Sequence, residues 1–225
     1  MRWISKSEEP PDLASFNQAR GSAARYGVSD FPSLSVRESL KQDQGNLCAY
    51  CMRWLFEVGI EHFIAQSEAP ERSTDWLNLL GVCNGRVPEH LTNSVPRSEK
   101  CCDSRRGNAP LTLNPIERSA MADISFDSGG RLLHRAAQTE IDDLLNLNHP
   151  KLVDARAKAR ETILKEAMKT NGATSATILD LEVARAWVLS QRSQNPLPEF
   201  FGVVEYEVLG PIVPEGASPL ANEHG

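Results

Sequence analysis

The stretch from residue 48 to residue 107 gathers side chains that can hold metal ions and move a proton. Cys48-Ala49-Tyr50-Cys51 comes first. Two thiols separated by two residues can face one ion from a tight knuckle. A redox pair would need a thioredoxin-like βαβ pattern around it, and none is present. Cys83, Cys101 and Cys102 lie downstream, and two of them would complete a tetrahedral four-cysteine zinc site. The plainer reading is that the thiols are small buried apolar groups. With all five cysteines of the chain in one short stretch, a structural zinc is the better expectation.

Three further signals lie around these cysteines. Ile60-Glu61-His62-Phe63 sets a carboxylate and an imidazole between apolar residues. Neighbours on a strand face opposite ways, so a bend must bring Glu61 and His62 to one site; alone, the pair is ordinary surface. Asn78 sits among apolar residues just before Cys83. A buried Asn must find hydrogen-bond partners, and bonds to the backbone around His62 would steady the imidazole. Its plainer role is to cap a turn. Finally, Cys102-Asp103-Ser104-Arg105-Arg106-Gly107 joins a thiol, a carboxylate and two guanidiniums. A helix starting here would aim Asp103 at a metal and set Arg105 and Arg106 beside phosphate oxygens, which they can bind in bidentate fashion. Otherwise the arginines form a solvated basic turn.

The elements that must position these groups are legible in outline. The start is polar and Pro-rich up to Pro11, and so extended. A short helix is expected over 33–41, capped by Ser33 or Ser35 and stopped by Gly45. Residues 54–58 and 60–64 carry the β-branched and aromatic side chains of strands, with Gly59 between them as a bulge or turn. Residues 68–74 and 84–100 read as loops. Asp127-Ser128-Gly129-Gly130 predicts a hairpin between 124–126 and 131–133. From Glu140 the pattern turns helical: Ile141, Leu144, Leu145 and Leu147 share a face before Pro150. Amphipathic helices follow over 152–169 and 173–191. Residues 199–209 fit a strand or a helix, and the last dozen residues read as frayed.

The bulk numbers limit the classes open to this chain. Its 225 residues, 40% hydrophobic, suffice for a real core. No apolar run is long enough to cross a bilayer, and the opening residues do not resemble a signal peptide. A cytoplasmic protein with reduced cysteines is therefore expected. The net charge of -6 argues against a protein that coats nucleic acid non-specifically. A nuclease remains compatible, because a bound divalent cation supplies local positive charge. Weak intrinsic affinity, or a partner that helps to hold substrate, would follow.

The order Cys48/Cys51, Glu61-His62, Asn78-Leu79, Cys83 and Cys102-Asp103-Ser104-Arg105 resembles the HNH endonuclease superfamily. Met1-Arg2-Trp3-Ile4-Ser5-Lys6 with Glu9-Pro10, and Leu145-Asn146-Leu147-Asn148-His149-Pro150 with Leu152, Val153 and Arg156, resemble a narrower branch. That branch contains the HNH subunits of Septu-type and retron-linked anti-phage defence systems. The chain departs from the family in the long insertion between Cys83 and Cys102, and in Asp103 where His or Asn is usual. Cys102 is preferred to Cys101 as the fourth zinc ligand because Asp103 then follows it; Cys101 stays open.

The resemblance implies an α+β fold: a zinc-stapled ββα-metal nuclease core over residues 1–115, and a mainly α-helical region over 116–225. It implies that Glu61 and Asp103 hold Mg²⁺ or Mn²⁺, and that His62 is the general base, steadied by Asn78. Arg105 and Arg106 would bind phosphate. The substrate would be DNA, and the helical half would dock a separately encoded ATPase. Two other readings stay open: a ribonuclease on the same site, acting for example on tRNA, and a non-catalytic zinc module that binds nucleic acid or protein.

Overall fold

A computed structural model describes residues 1–87, 95–169 and 178–210. Residues 1–10 form no helix or strand, as the Pro-rich start suggests. Helix α1, Pro11–Arg20, begins on a proline, which suits a first helical position because its ring presets φ and no amide there needs a partner. Leu13 and Phe16 form its buried side. Helix α2, Ser33–Asp43, lies where it is expected but runs longer, burying Val36 and Leu40. The expected serine cap is absent. Pro32 occupies the cap position, and no side chain bonds the first amides. Gly45 lies beyond the end of α2 with φ +62°, and a Cβ there would come within 2.5 Å of Leu197 Cδ1.

The strand expected over 54–58 does not form. Trp54 makes one isolated bridge, to Leu47, which closes the knuckle carrying Cys48 and Cys51. The second expected strand is real but shorter. Strand β1, Gly59–His62, pairs antiparallel with β2, Leu79–Val82, so that Glu61 faces Leu80 and His62 faces Leu79. Beyond His62 the ladder gives way to bonds from Asn78. All of β2 is buried. The Gln44 side chain from the end of α2 donates to the Gly81 carbonyl (2.8 Å) and accepts from its amide (2.7 Å). The Ala49 amide also donates to that carbonyl, at 3.0 Å. The knuckle and α2 thus close the free edge of β2, which would otherwise leave buried backbone groups unpaired.

The short helix α3, Cys102–Arg106, follows, then α4, Arg118–Met121. The expected hairpin forms between β3, Ser125–Phe126, and β4, Leu132–Leu133. Residues Glu140–Leu144 make a single wide π-type turn rather than an α-helix, and Ile141, Leu145 and Leu147 are buried. Helices α5 (Pro150–Lys169) and α6 (Ile178–Gln191) match the two amphipathic stretches. The part of the second stretch before 178 lies outside the described residues, as does the expected frayed end. The ambiguous stretch over 199–209 forms helix α7, Phe201–Leu209, with Phe200 before it in the left-handed conformation (φ +57°). The fold is therefore α+β with two small antiparallel sheets.

Among the described residues, three buried clusters hold it together. One gathers the cysteines, Met1 and Ile4 with Leu113, Met121, Ile141 and Leu152, so residues on both sides of position 115 share a core. A second joins α6 and α7 to Leu47 and Met52 of the knuckle. A third lies between α1, α2 and β2. Among the described residues, no helix is long and apolar enough to cross a membrane.

Candidate metal centre and active site

The knuckle is built by local backbone bonds. The Cys48 amide donates to the Arg53 carbonyl at 2.8 Å, and the Met52 amide to the Cys48 carbonyl at 3.0 Å. Met52 takes a left-handed φ of +66° to close the turn. Cys83 follows the end of β2 directly. Cys102 opens α3, also left-handed at φ +55°, a conformation that costs a non-glycine residue free energy and persists only where its surroundings impose it. Here the Cys102 amide is held by the Leu145 carbonyl at 2.9 Å. The sulfurs of Cys48, Cys51, Cys83 and Cys102 all lie within 4.8 Å of one another, and all four residues are buried.

These four cysteines could hold a metal ion, and their spacing fits zinc. A tetrahedral zinc with bonds of about 2.3 Å sets its sulfurs about 3.8 Å apart. The Cys48–Cys102 and Cys51–Cys83 sulfur pairs are each 3.8 Å apart, and Cys83–Cys102 is 3.9 Å. Cys101 is buried beside them, 3.6 Å from the Cys102 sulfur, but it is outside the group of four. Arg53 Nη2 lies 3.5 Å from the sulfurs of both Cys83 and Cys101, where a guanidinium offsets thiolate charge. Bonds from neighbouring thiols, Cys101 first, hold Cys51 and Cys83 well below the usual range, while burial pushes Cys48 and Cys102 well above it. A bound metal would deprotonate the coordinating thiols.

Glu61 and His62 end β1, and Asp103 follows Cys102 in α3. Asp103 acts electrostatically on both residues. Glu61 is raised from its ordinary value to about 8, by burial first, then by the Asp103 carboxylate, with Arg106 opposing. Two carboxyl groups facing each other in a desolvated place oppose joint ionisation, and a cation between them would reverse that. His62 is 6% exposed, and burial lowers its pKa. Its Nε2 lies 2.9 Å from the Ser73 carbonyl, and its Nδ1 lies 3.4 Å from Gln66 Nε2. A carbonyl only accepts, so Ser73 fixes the proton on Nε2 and leaves the basic lone pair on Nδ1. The Tyr26 ring packs edge-on against the imidazole, centroids 4.8 Å apart.

Asn78 holds the segment after His62. Its Oδ1 accepts from the Ile64 amide at 2.7 Å, and its Nδ2 donates to the Ile64 carbonyl at 3.0 Å and to the Arg72 carbonyl at 3.1 Å. The side chain mimics a strand partner where the ladder has stopped.

The two arginines part company. Arg106 is buried and forms an ion pair with Glu61. It also donates to the Phe63 carbonyl, to the Ala109 carbonyl (2.6 Å) and to the Tyr50 hydroxyl (3.3 Å). Tyr50 donates to Glu61 Oε1 at 3.2 Å. Arg105 instead donates to the carbonyls of Asp143 (3.1 Å) and Arg97 (2.9 Å). Of the two guanidiniums expected at phosphate, only Arg106 lies against the Glu61 carboxylate.

Sequence reasoning missed Tyr50, Arg53, Gln66 and the Ser73 carbonyl. Tyr50 and Arg53 adjoin the cysteines, so their place next to the metal site was available as a signal. A backbone carbonyl leaves no trace in residue types. No family model matches this sequence, and no curated protein matches it.

Proposed function

We propose that the chain is a metal-dependent nuclease of the HNH type, in which an antiparallel strand pair and a following helix are stapled by zinc. The observation that carries this reading is a four-sulfur cluster of tetrahedral spacing that sets Asp103, next to Cys102 in α3, within electrostatic reach of the Glu61 carboxyl at the end of β1. A zinc-only module has no need of Glu61, His62 and Asp103 together.

Glu61 and Asp103 offer hard oxygen donors suited to Mg²⁺ or Mn²⁺. Such an ion would polarise a scissile phosphate and stabilise a departing oxygen. His62 takes the proton of the attacking water at Nδ1, its tautomer fixed by Ser73 and its segment by Asn78. Burial keeps the ring neutral near pH 7, as a base must be. Gln66 occupies the approach to Nδ1 and has to yield to that water. Arg106 balances Glu61 from a buried position, and both it and Arg105 would have to leave their present partners to bind a phosphate oxygen.

DNA is the proposed substrate, with RNA as the other polymer that this chemistry would accept. The resemblance to defence-system subunits, together with the acidic chain, supports a separately encoded ATPase docked on the helical half. The five free cysteines suit a reducing compartment such as the cytoplasm.

Plasmid DNA and a structured RNA, each incubated with zinc-loaded protein and Mn²⁺ or Mg²⁺, test the reading. Metal-dependent nicking of DNA, lost in His62→Ala with zinc content unchanged, is expected. Cleavage of RNA alone would shift the assignment to a ribonuclease. Intact polymers under every metal would leave a zinc binding module.

A further inference from the structure

A cavity of about 380 Å³ lies where the N-terminal residues and α4 meet α6 and α7. Its volume falls within the roughly 300–1,000 Å³ common for small-molecule sites. Its charge is opposite to that of the chain. Arg2, Arg118, Arg185 and Arg192 line it, and Glu205 is the one carboxylate among its lining residues. Glu205 is already shared by Arg2 (3.1 Å) and Arg192 (2.8 Å). Arg185 makes no ion pair among the described residues and is exposed at the mouth. Four guanidiniums against one carboxylate, in a chain of net charge -6, concentrate a positive field that selects an anion.

Much of the remaining lining is aromatic or aliphatic. The Arg118 guanidinium lies over the Trp3 ring, 4.7 Å from its centroid, and Ile124, Leu189, Tyr206 and Leu209 also line the cavity. A guanidinium stacked on an indole extends a planar surface on which a nucleobase can stack. Arginine also recognises phosphate in bidentate fashion. We propose that this cavity binds a nucleoside phosphate, its base against the Arg118–Trp3 plate and its phosphates at Arg185 and Arg192. The site is separate from the Glu61–His62–Asp103 cluster and does not depend on the nuclease reading.

Calorimetric titration of the zinc-loaded full chain with adenosine and guanosine mono-, di- and triphosphates tests this, with inorganic phosphate as a control. Expected is saturable one-to-one binding of at least one nucleotide, with phosphate about tenfold weaker or worse. Arg185→Glu and, separately, Leu189→Glu should each weaken that nucleotide by about tenfold or more. Both side chains are exposed, so the variants should keep their fold and zinc. A short 5′-phosphorylated single strand, titrated in parallel, separates a free nucleotide from a nucleic-acid end. Failure of every nucleotide to bind at millimolar concentration would overturn the proposal. So would phosphate binding as well as the nucleotides, binding of the strand alone, or affinity unchanged in both variants.

Discussion

The Cys102 amide donates to the Leu145 carbonyl over 2.9 Å, so a cysteine of the four-sulfur cluster takes its position from a turn more than forty residues further along the chain. The next residue strengthens the tie. Asn146 Nδ2 donates to the Lys100 carbonyl at 2.8 Å and to the Ser98 carbonyl at 3.0 Å, holding the approach to Cys101 and Cys102. Asn146 is itself left-handed, at φ +49°, a conformation that asparagine tolerates better than most residues. Asn146→Ala should remove both bonds and add backbone strain, costing about 1–3 kcal/mol. Asn146→Gly keeps the turn and should cost less. Denaturant midpoints of the two variants, with the rate of zinc release to a chelator, check this. Equal zinc release from wild type and Asn146→Ala would show that the turn does not support the site.

Zinc stoichiometry decides between neighbouring thiols. Cys102 belongs to the group of four and Cys101 does not. Cys102→Ser, like Cys48→Ser, should lose zinc and cooperative unfolding together, because structural zinc affinity is folding free energy. Cys101→Ser should keep one zinc per chain by native mass spectrometry. The reverse result would transfer the fourth ligand to Cys101.

The metal site was legible because cysteine spacing carries chemistry in the residue types themselves. Cys48, Cys51 and Cys83 could be grouped without knowledge of the backbone, whereas the choice of Cys102 over Cys101 rested on the family resemblance until the fold gathered the four sulfurs. The hairpin at Asp127–Gly130 and the amphipathic helices were legible for a similar reason: turn chemistry and periodicity are local. The strand at 54–58 misled because Trp54 and Phe56 have strand-like side chains, yet they occupy the exit of the knuckle. There Trp54 Nε1 donates to the Leu197 carbonyl at 2.8 Å and its amide to Glu199 at 2.9 Å. Those partners lie about 145 residues away, beyond any local pattern. The same limit hid the serine cap's failure, the π-type turn at Glu140 and the Ser73 carbonyl on His62.

Lys6 gives the protein a pH response outside the metal sites. It is half-buried, with Nζ 3.1 Å from the Trp76 ring centroid and bonded to the Leu79 carbonyl at 3.1 Å. Burial lowers its pKa from 10.5 to about 7, opposed by Asp43 on α2 and by Asp75 before β2. The unfolded chain therefore holds this proton from pH 7 to about 10.5 while the folded chain releases it. In that window the unfolded state binds more protons, so this group makes stability rise with pH. Below pH 7 both states are charged and the full cost of burial remains. Lys6→Met should thus gain most over wild type near pH 6, and the gain should shrink towards pH 9. The Trp76 face favours the cation and reduces the size of the change, not its sign. Chemical denaturation of both proteins at several pH values measures it; a gain that grew with pH would refute the assignment.

Arg106 tests whether Glu61 is a metal ligand. The two form a buried ion pair, yet burial and Asp103 raise Glu61 to about 8, so without Arg106 its carboxyl would keep a proton, and the cost is that of the arginine's lost hydrogen bonds, about 1–3 kcal/mol. Arg106→Met should therefore lower the thermal midpoint in EDTA-free buffer lacking divalent ions. If Glu61 and Asp103 take Mg²⁺ or Mn²⁺, the ion replaces the lost positive charge and stabilises only the folded state. The variant should then recover more of its midpoint on addition of Mn²⁺ than wild type gains. In the double variant Arg106→Met, Glu61→Gln the recovery should vanish, since the charge that called for the ion is gone. Zinc content must be constant across the series, so that the cysteine cluster is not the source of the response. Equal Mn²⁺ responses in the wild type, the single variant and the double variant would show that no catalytic metal binds at Glu61, and would remove the metal from the proposed nuclease chemistry.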